Sequence, residues 1–137
     1  MTVVIDTNII LDYLLERENF AEIAKECIKH LADNDVKTYL TASTITDIHY
    51  FVAKFAKNTD VAKNIISNLL NSFYISSVNK TDCVNALKLN IEDYEDSLLC
   101  ICAKKIKADY IITRNIKHFI NSPVKSVTPG DFIKQLN

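Results

Sequence analysis

Short apolar runs alternating with segments of helical period predict an α/β fold. The expected architecture is a single-domain three-layer α/β/α sandwich around a mainly parallel sheet of about five strands. Three observations carry this expectation. The chain opens on Val3, Val4 and Ile5, a buried-strand signature that stops abruptly at Asp6. Similar runs return near residues 37, 73, 110 and 124, each separated from the next by helical sequence. The 137 residues, 48% of them apolar, suffice for one core, so residues 1–137 are read as one domain.

In chain order, Val3–Ile5 is strand one and Asn8–Glu16 a short helix. Ala21–Ala32 is a helix with Ile23, Ala24, Cys27, Ile28 and Leu31 along one face. Lys37–Leu40 is strand two, followed by a helix from about Ile45 to Phe55. Asp60–Asn71 is helical, with Val61, Ile65 and Leu69 in period and Asn58 or Thr59 as cap. Phe73–Val78 reads as strand three and Lys80–Leu89 as helix. Tyr94–Lys107 is a helix whose run Leu98 to Ala103 implies burial on most sides. Tyr110–Thr113 and Val124–Val127 are strands four and five, and Thr128-Pro129 opens the last helix, with proline at its first position.

Composition removes several functions. One glycine leaves no glycine-rich phosphate loop, so dinucleotide and P-loop nucleotide sites are excluded. A net charge of −1 provides no global basic field of the kind that coats nucleic acid. It does not argue against a nuclease, whose cation pocket is itself acidic. Cys27, Cys83, Cys100 and Cys102 have no metal-ligand spacing and read as small apolar side chains in a reducing, cytoplasmic setting. No signal peptide or membrane span is evident.

The chemistry lies in carboxylates placed at strand ends. Parallel α/β sheets bind ligands outside the carboxyl ends of their strands. Asp6 stands there after strand one, although Asp is also a favoured helix cap. Asp47 begins the helix after strand two, and with Thr44 it also fits the capping-box spacing. Asp93, Glu95 and Asp96 fall in the first turn of the Tyr94–Lys107 helix, where the helix dipole favours acids. Asp96 shares a core-facing stripe with Leu99, Ala103 and Ile106, so its charge needs a partner or a cation. Asp93 and Glu95 are expected toward solvent or the pocket edge. Thr113 and Asn115, at the end of strand four, offer neutral oxygens to orient a carboxylate. Arg114 and Lys117 are candidates for phosphate contact, or are simply solvated. Asp109 precedes strand four and belongs to the opposite rim. Carboxylate oxygens without His or Cys suit Mg²⁺ or Mn²⁺. If two ions bind, they sit on the order of 4 Å apart, a spacing suited to phosphodiester hydrolysis.

The segments Val-Val-Ile-Asp-Thr-Asn-Ile-Ile-Leu-Asp, Thr-Ala-Ser-Thr-Ile-Thr-Asp-Ile, Asp-Tyr-Glu-Asp-Ser-Leu-Leu and Asp-Tyr-Ile-Ile-Thr-Arg-Asn, in this order, resemble the PIN-domain nucleases. The closing Ser-Val-Thr-Pro-Gly-Asp-Phe is similar to that family's last strand and helix, so the resemblance covers nearly the whole chain. It includes the toxin ribonucleases of bacterial toxin–antitoxin pairs. It implies that Asp6 and Asp96 are the principal metal ligands, supported by Thr7 and Asn8. Asp47 stands where many members have Glu. The family often has a fourth acid near Thr-Arg-Asn, where this chain has Asn115 and His118. That departure weakens a second metal position, for which Asp93 is a partial substitute. His30 and His49 read as ordinary helix residues.

The function implied is a Mg²⁺- or Mn²⁺-dependent endoribonuclease acting on RNA, with an antitoxin protein as partner and a homodimer as the assembly. The alternative is a non-catalytic PIN-like module that binds RNA or protein through a degenerate acidic site. A phosphorylated receiver or small phosphatase fits worse, because strand three ends in Ser77-Val78 where a receiver needs an Asp.

Overall fold

A computed structural model describes residues 1–135. Its core is a five-stranded sheet in the order β3-β2-β1-β4-β5, with every neighbouring pair parallel. The strands are β1 (Thr2–Ile5), β2 (Lys37–Thr41), β3 (Tyr74–Ser76), β4 (Tyr110–Ile112) and β5 (Ser126–Val127). Around them lie α1 (Thr7–Leu14), α2 (Ala21–Asp33), α3 (Ala42–Ala56), α4 (Thr59–Ser72), α5 (Lys80–Ala86), α6 (Tyr94–Lys105) and α7 (Pro129–Gln135).

The two-residue period of the strands sorts the core into layers. Val3, Ile5 and Ile112 pack with Ile10 of α1, Cys27 of α2, Ile48 of α3 and Phe132 of α7. Val4 and Ile111 point the other way, onto Leu99, Cys100 and Ala103 of α6. Leu98 and Ile101 of the same helix meet Ala86 of α5. Helix α6 is therefore buried on several sides, as its unbroken apolar run predicts. Lys105 ties it to α5 through Asp82 at 2.6 Å and the Ser77 carbonyl at 2.8 Å. All four cysteines are free. Among the described residues no helix is long and apolar enough to cross a membrane.

Several boundaries differ from expectation, each for a local reason. Helix α3 starts at Ala42 rather than near Ile45, because Thr41, the last residue of β2, is itself the cap. Its hydroxyl accepts the Thr44 amide at 3.1 Å. The expected Thr44–Asp47 capping box therefore does not form, and Asp47 is left in the second turn. A capping box is present instead at Asn79–Asp82. Strand β3 is shorter than Phe73–Val78, since β2 ends at Thr41 opposite Ser76. Helix α5 stops at Ala86, and the amides of Leu87, Lys88 and Leu89 then close onto carbonyls three residues back. Helix α6 stops at Lys105, two residues before Lys107 takes a left-handed φ of 56°. Strand β5 begins at Ser126, where pairing to Ile111 begins, so Val124 lies outside it. A 3₁₀ turn at Ile116–Phe119, unforeseen in the sequence, follows β4.

Because all strands run the same way, the carboxyl ends of β1, β2 and β4 share one rim. Asp6, Thr41 and Thr113 stand on it.

Candidate active site

The backbone fixes Asp6 first. Its amide donates to the Ile112 carbonyl at 2.9 Å, continuing the β1–β4 pairing one residue beyond the strand. Asp6 holds the cap position of α1 with extended backbone angles, yet its side chain closes no capping bond. The carboxylate is buried and accepts a 2.8 Å hydrogen bond from Thr113 Oγ1. Burial raises the Asp6 pKa, while the Thr113 hydroxyl, the nearby Asn8 and Thr7 amides and the Arg114 charge oppose the rise. Thr113 in turn accepts the Asn115 amide at 3.1 Å, so its hydroxyl is oriented from both sides.

Asp47 meets this rim from α3, while Asp93, Glu95 and Asp96 meet it from the start of α6. With Asp6 they line one cleft of about 500 Å³, which Asn8 and Asn115 also border. Asp93 is the cap of α6, accepting the Asp96 amide at 3.1 Å, so its edge position has a structural cause. Asp96 turns toward His118, whose Nδ1 lies 3.4 Å from Asp96 Oδ2. Burial, then the charges of Asp6 and Asp93, push the Asp96 carboxyl up to about 6, against the pull of His118.

Glu95 is solvent-exposed and borders the cleft, in keeping with its expected edge position. Its carboxyl hydrogen-bonds that of Asp47 across the cleft. That bond, followed by burial and the charges of Asp47, Asp93 and Asp6, pushes it up to about 8.

The supporting residues divide. Thr7 Oγ1 lies 2.9 Å from Thr44 Oγ1, and Thr44 Oγ1 lies 3.0 Å from Thr41 Oγ1, a buried hydroxyl chain joining the starts of α1 and α3. Asn8 Oδ1 accepts a 3.1 Å hydrogen bond from Arg17. Arg114 turns away from the carboxylates. Its Nε and Nη2 donate to the two oxygens of buried Asp12 at 2.9 and 3.3 Å, and its guanidinium lies 4.0 Å over the Phe20 ring. Lys117 lines an adjoining cleft that shares Asp93, Asp96 and His118 with the first. His30 and His49 line neither cleft.

The donor chemistry is that of a hard divalent cation: several carboxylates with neutral amide and hydroxyl oxygens around them. Burial raises Asp6; the Asp47 carboxyl, burial and nearby acids raise Glu95; and burial with the charges of Asp6 and Asp93 raises Asp96. The side chains do not stand closed into a finished ligand shell. Among the described residues no group of three or more His, Cys, Asp or Glu side chains has that arrangement.

A parallel α/β sheet that gathers carboxylates from the ends of β1, α3 and α6 is the arrangement of a PIN-like domain. The PIN domain family model matches residues 2–117, so the chain belongs to the PIN domain family, a family of nucleases. No curated protein sequence matches it. Solved structures similar in fold include VapBC2 from Rickettsia felis bound to a DNA fragment from its promoter. The identity is 18% and the TM-score 0.72, with 93% of this chain and 98% of that one covered. VapBC-1 from nontypeable Haemophilus influenzae is similar at 18% identity and TM-score 0.71, covering 95% and 99%. A toxin–antitoxin complex from Klebsiella pneumoniae gives 20% identity and TM-score 0.67, covering 93% and 97%.

Proposed function

We propose that this chain is a Mg²⁺- or Mn²⁺-dependent endoribonuclease and the toxin of a toxin–antitoxin pair. The observation that carries the reading is the convergence of Asp6, Asp47 and Asp96 from three separate elements onto one cleft of a PIN domain. The toxin–antitoxin complexes among its fold neighbours support the second half. An antitoxin that covers the cleft, a homodimeric assembly and a cytoplasmic setting belong to the same proposal.

Asp6 and Asp96 are assigned as the principal ligands, Asp47 as the third, and Asp93 as a neighbouring acid. A bound divalent cation supplies Lewis acidity, lowering the pKa of water and screening the phosphodiester charge. The chain's own residues prepare that chemistry. Thr113 orients the Asp6 carboxylate, and Asn115 orients Thr113 through its backbone amide. Thr7 and Asn8 fix the start of α1 that carries Asp6. The Asp47 carboxyl beside Glu95 holds the Glu95 carboxyl well above the usual range while no cation neutralises it. Lys117, which lines the adjoining cleft, is assigned to contact the substrate's phosphates. Arg114 is spent on Asp12 and acts through the backbone it anchors.

The test is cleavage of a pooled small-RNA substrate with and without Mn²⁺ by the wild type, Asp6→Asn and Asp96→Asn. Metal-dependent cleavage lost in both variants, with unchanged circular dichroism, is the expected result. Full activity in either variant overturns the ligand assignment. The replacement of a fourth acid by Asn115 and His118 favours a second reading, a non-catalytic module that binds RNA or protein. No metal-dependent cleavage of any RNA by the wild type selects that reading instead.

A further inference from the structure

We propose that Tyr50 and Phe51 form a stacking platform for an unpaired base of the nucleic-acid substrate, next to the phosphodiester held at the carboxylates. The inference rests on the nuclease reading and assigns the cleft a substrate subsite.

Helix α3 sets the arrangement. Residues three, four and seven apart share a helical face, so Asp47, Tyr50, Phe51 and Lys54 follow one another along a single stripe. The stripe spans about 10 Å of helix axis. Tyr50 and Phe51 border the same cleft as Asp6, Asp47 and Asp96. They are 59% and 40% exposed, so the chain leaves two aromatic faces open to whatever enters that cleft. Their rings meet edge to face, with centroids 5.2 Å apart and planes at 78°. Such a pair is mutually supported and still presents a free face. Lys54 Nζ stands 5.9 Å from the Tyr50 ring centroid, at the far end of the stripe.

Tyr13 and Phe55, also exposed, border a different cleft, and three other exposed aromatic residues have work within the chain. Phe20 carries the Arg114 guanidinium, Tyr74 packs on Tyr39, and the Tyr94 hydroxyl donates to the Cys83 carbonyl at 2.7 Å. Tyr50 and Phe51 touch each other and the cleft. The order along α3 is carboxylate, flat apolar ring, cation. An extended single strand presents a matching order when one phosphate lies at the carboxylates, the adjoining base lies on the rings and the next phosphate lies near Lys54. Bases inside a duplex are already stacked and cannot take the rings, so the platform selects unpaired nucleic acid.

The test is steady-state cleavage by the full chain in Mn²⁺. The substrates are a single-stranded RNA and methyl p-nitrophenyl phosphate, a phosphodiester without a nucleobase. The Tyr50→Ala/Phe51→Ala double variant is expected to raise KM for the RNA about tenfold or more while leaving hydrolysis of the small diester unchanged. Tyr50→Phe/Phe51→Tyr, which keeps both flat faces, is expected to restore the wild-type KM. A 2-aminopurine placed beside the scissile phosphate should be quenched on binding to the wild type and not to the alanine pair. Circular dichroism confirms that each variant is folded. An unchanged KM for RNA in the alanine pair overturns the platform and leaves the nuclease reading standing. A variant whose only change is its oligomeric mass, measured by light scattering, assigns the surface to a second copy and also overturns it. Absence of cleavage of both substrates by the wild type removes the nuclease reading on which the platform rests.

Discussion

Thr113 Oγ1 donates to Asp6 Oδ2 at 2.8 Å across the junction of β4 and β1, bringing together residues 107 positions apart in sequence. Thr113 is fully buried and Asp6 nearly so. A buried carboxylate deprived of its donor keeps its desolvation cost without compensation. Thr113→Val preserves shape and removes only the hydroxyl. It should cost about 2 kcal/mol of stability by denaturant titration and lower RNA cleavage, with the loss in kcat rather than KM. Wild-type stability together with wild-type kcat would show that Asp6 needs no orientation.

Asp12 is the second pivot. It is 1% exposed and receives both Arg114, through a two-point contact, and Arg17 at 3.3 Å. Removing one partner of a buried ion pair is far costlier than the pair is worth, because the remaining charges stay desolvated. Asp12→Ala is expected to cost about 3 kcal/mol, and Arg17→Ala, whose guanidinium reaches solvent, clearly less. Urea midpoints at constant m-value measure both. Equal costs would place the burden on packing rather than charge.

These two residues also show what the sequence could disclose. The layer order, the parallel sheet and the rim position of Asp6 follow from strand-sized apolar runs and their spacing, which depend only on local chemistry. Asp47 and Asp96 were legible as acids at helix starts because those helices follow strands or head a buried stripe. Arg114 reads from the sequence as a candidate phosphate contact or a solvated side chain, whereas in the structure it pairs with Asp12, 102 positions away. Nothing local distinguishes an arginine that anchors a loop from one that meets solvent. The pairing of Glu95 with Asp47 is hidden from the sequence for a related reason. The partner is on another helix, and a first-turn acid has a sufficient explanation in the helix dipole alone.

The charge gathered at the cleft should make the metal-free protein less stable at neutral pH than in mild acid. Burial and neighbouring acids raise Asp96 from 3.8 to about 6. Between those values the folded state holds more protons than the unfolded chain, so stability falls as pH rises through this window. Above the folded value the penalty is complete. Glu95, raised from 4.5 to about 8, extends the fall toward neutrality. Asp96→Asn removes the charge and should raise the metal-free Tm at pH 8 by roughly 3–5 °C. This allows about 1 kcal/mol after discounting for solvent screening. At pH 4, where the unfolded Asp also begins to hold its proton, the gain should shrink. Calorimetry of both proteins with EDTA reads the difference. A variant less stable than the wild type at pH 8 would mean that Asp96 is already compensated within the chain.

His118, with Asn115 one of the two residues at the Thr-Arg-Asn element where the family resemblance implies a fourth acid, has its Nδ1 3.4 Å from Asp96. The imidazole is 60% exposed, so little packing depends on it. His118→Asp restores a carboxylate beside Asp96 at small cost to the fold. In the metal-free protein the added charge lies against Asp96 and should lower Tm at pH 8, because like charges repel when nothing stands between them. With Mn²⁺ present the order should reverse, since a cation attracted by one more carboxylate stabilises the folded state in proportion to its occupancy. The expected signature is a Tm rise on adding Mn²⁺ that is larger in the variant than in the wild type. A several-fold lower Kd for Mn²⁺ by titration calorimetry should accompany it. Glu95→Gln, tested in parallel, should move the Mn²⁺ response the other way. If His118→Asp leaves Mn²⁺ affinity unchanged, the cation is held on the Asp6 and Asp47 side of the cleft, out of reach of the 3₁₀ turn that carries residue 118.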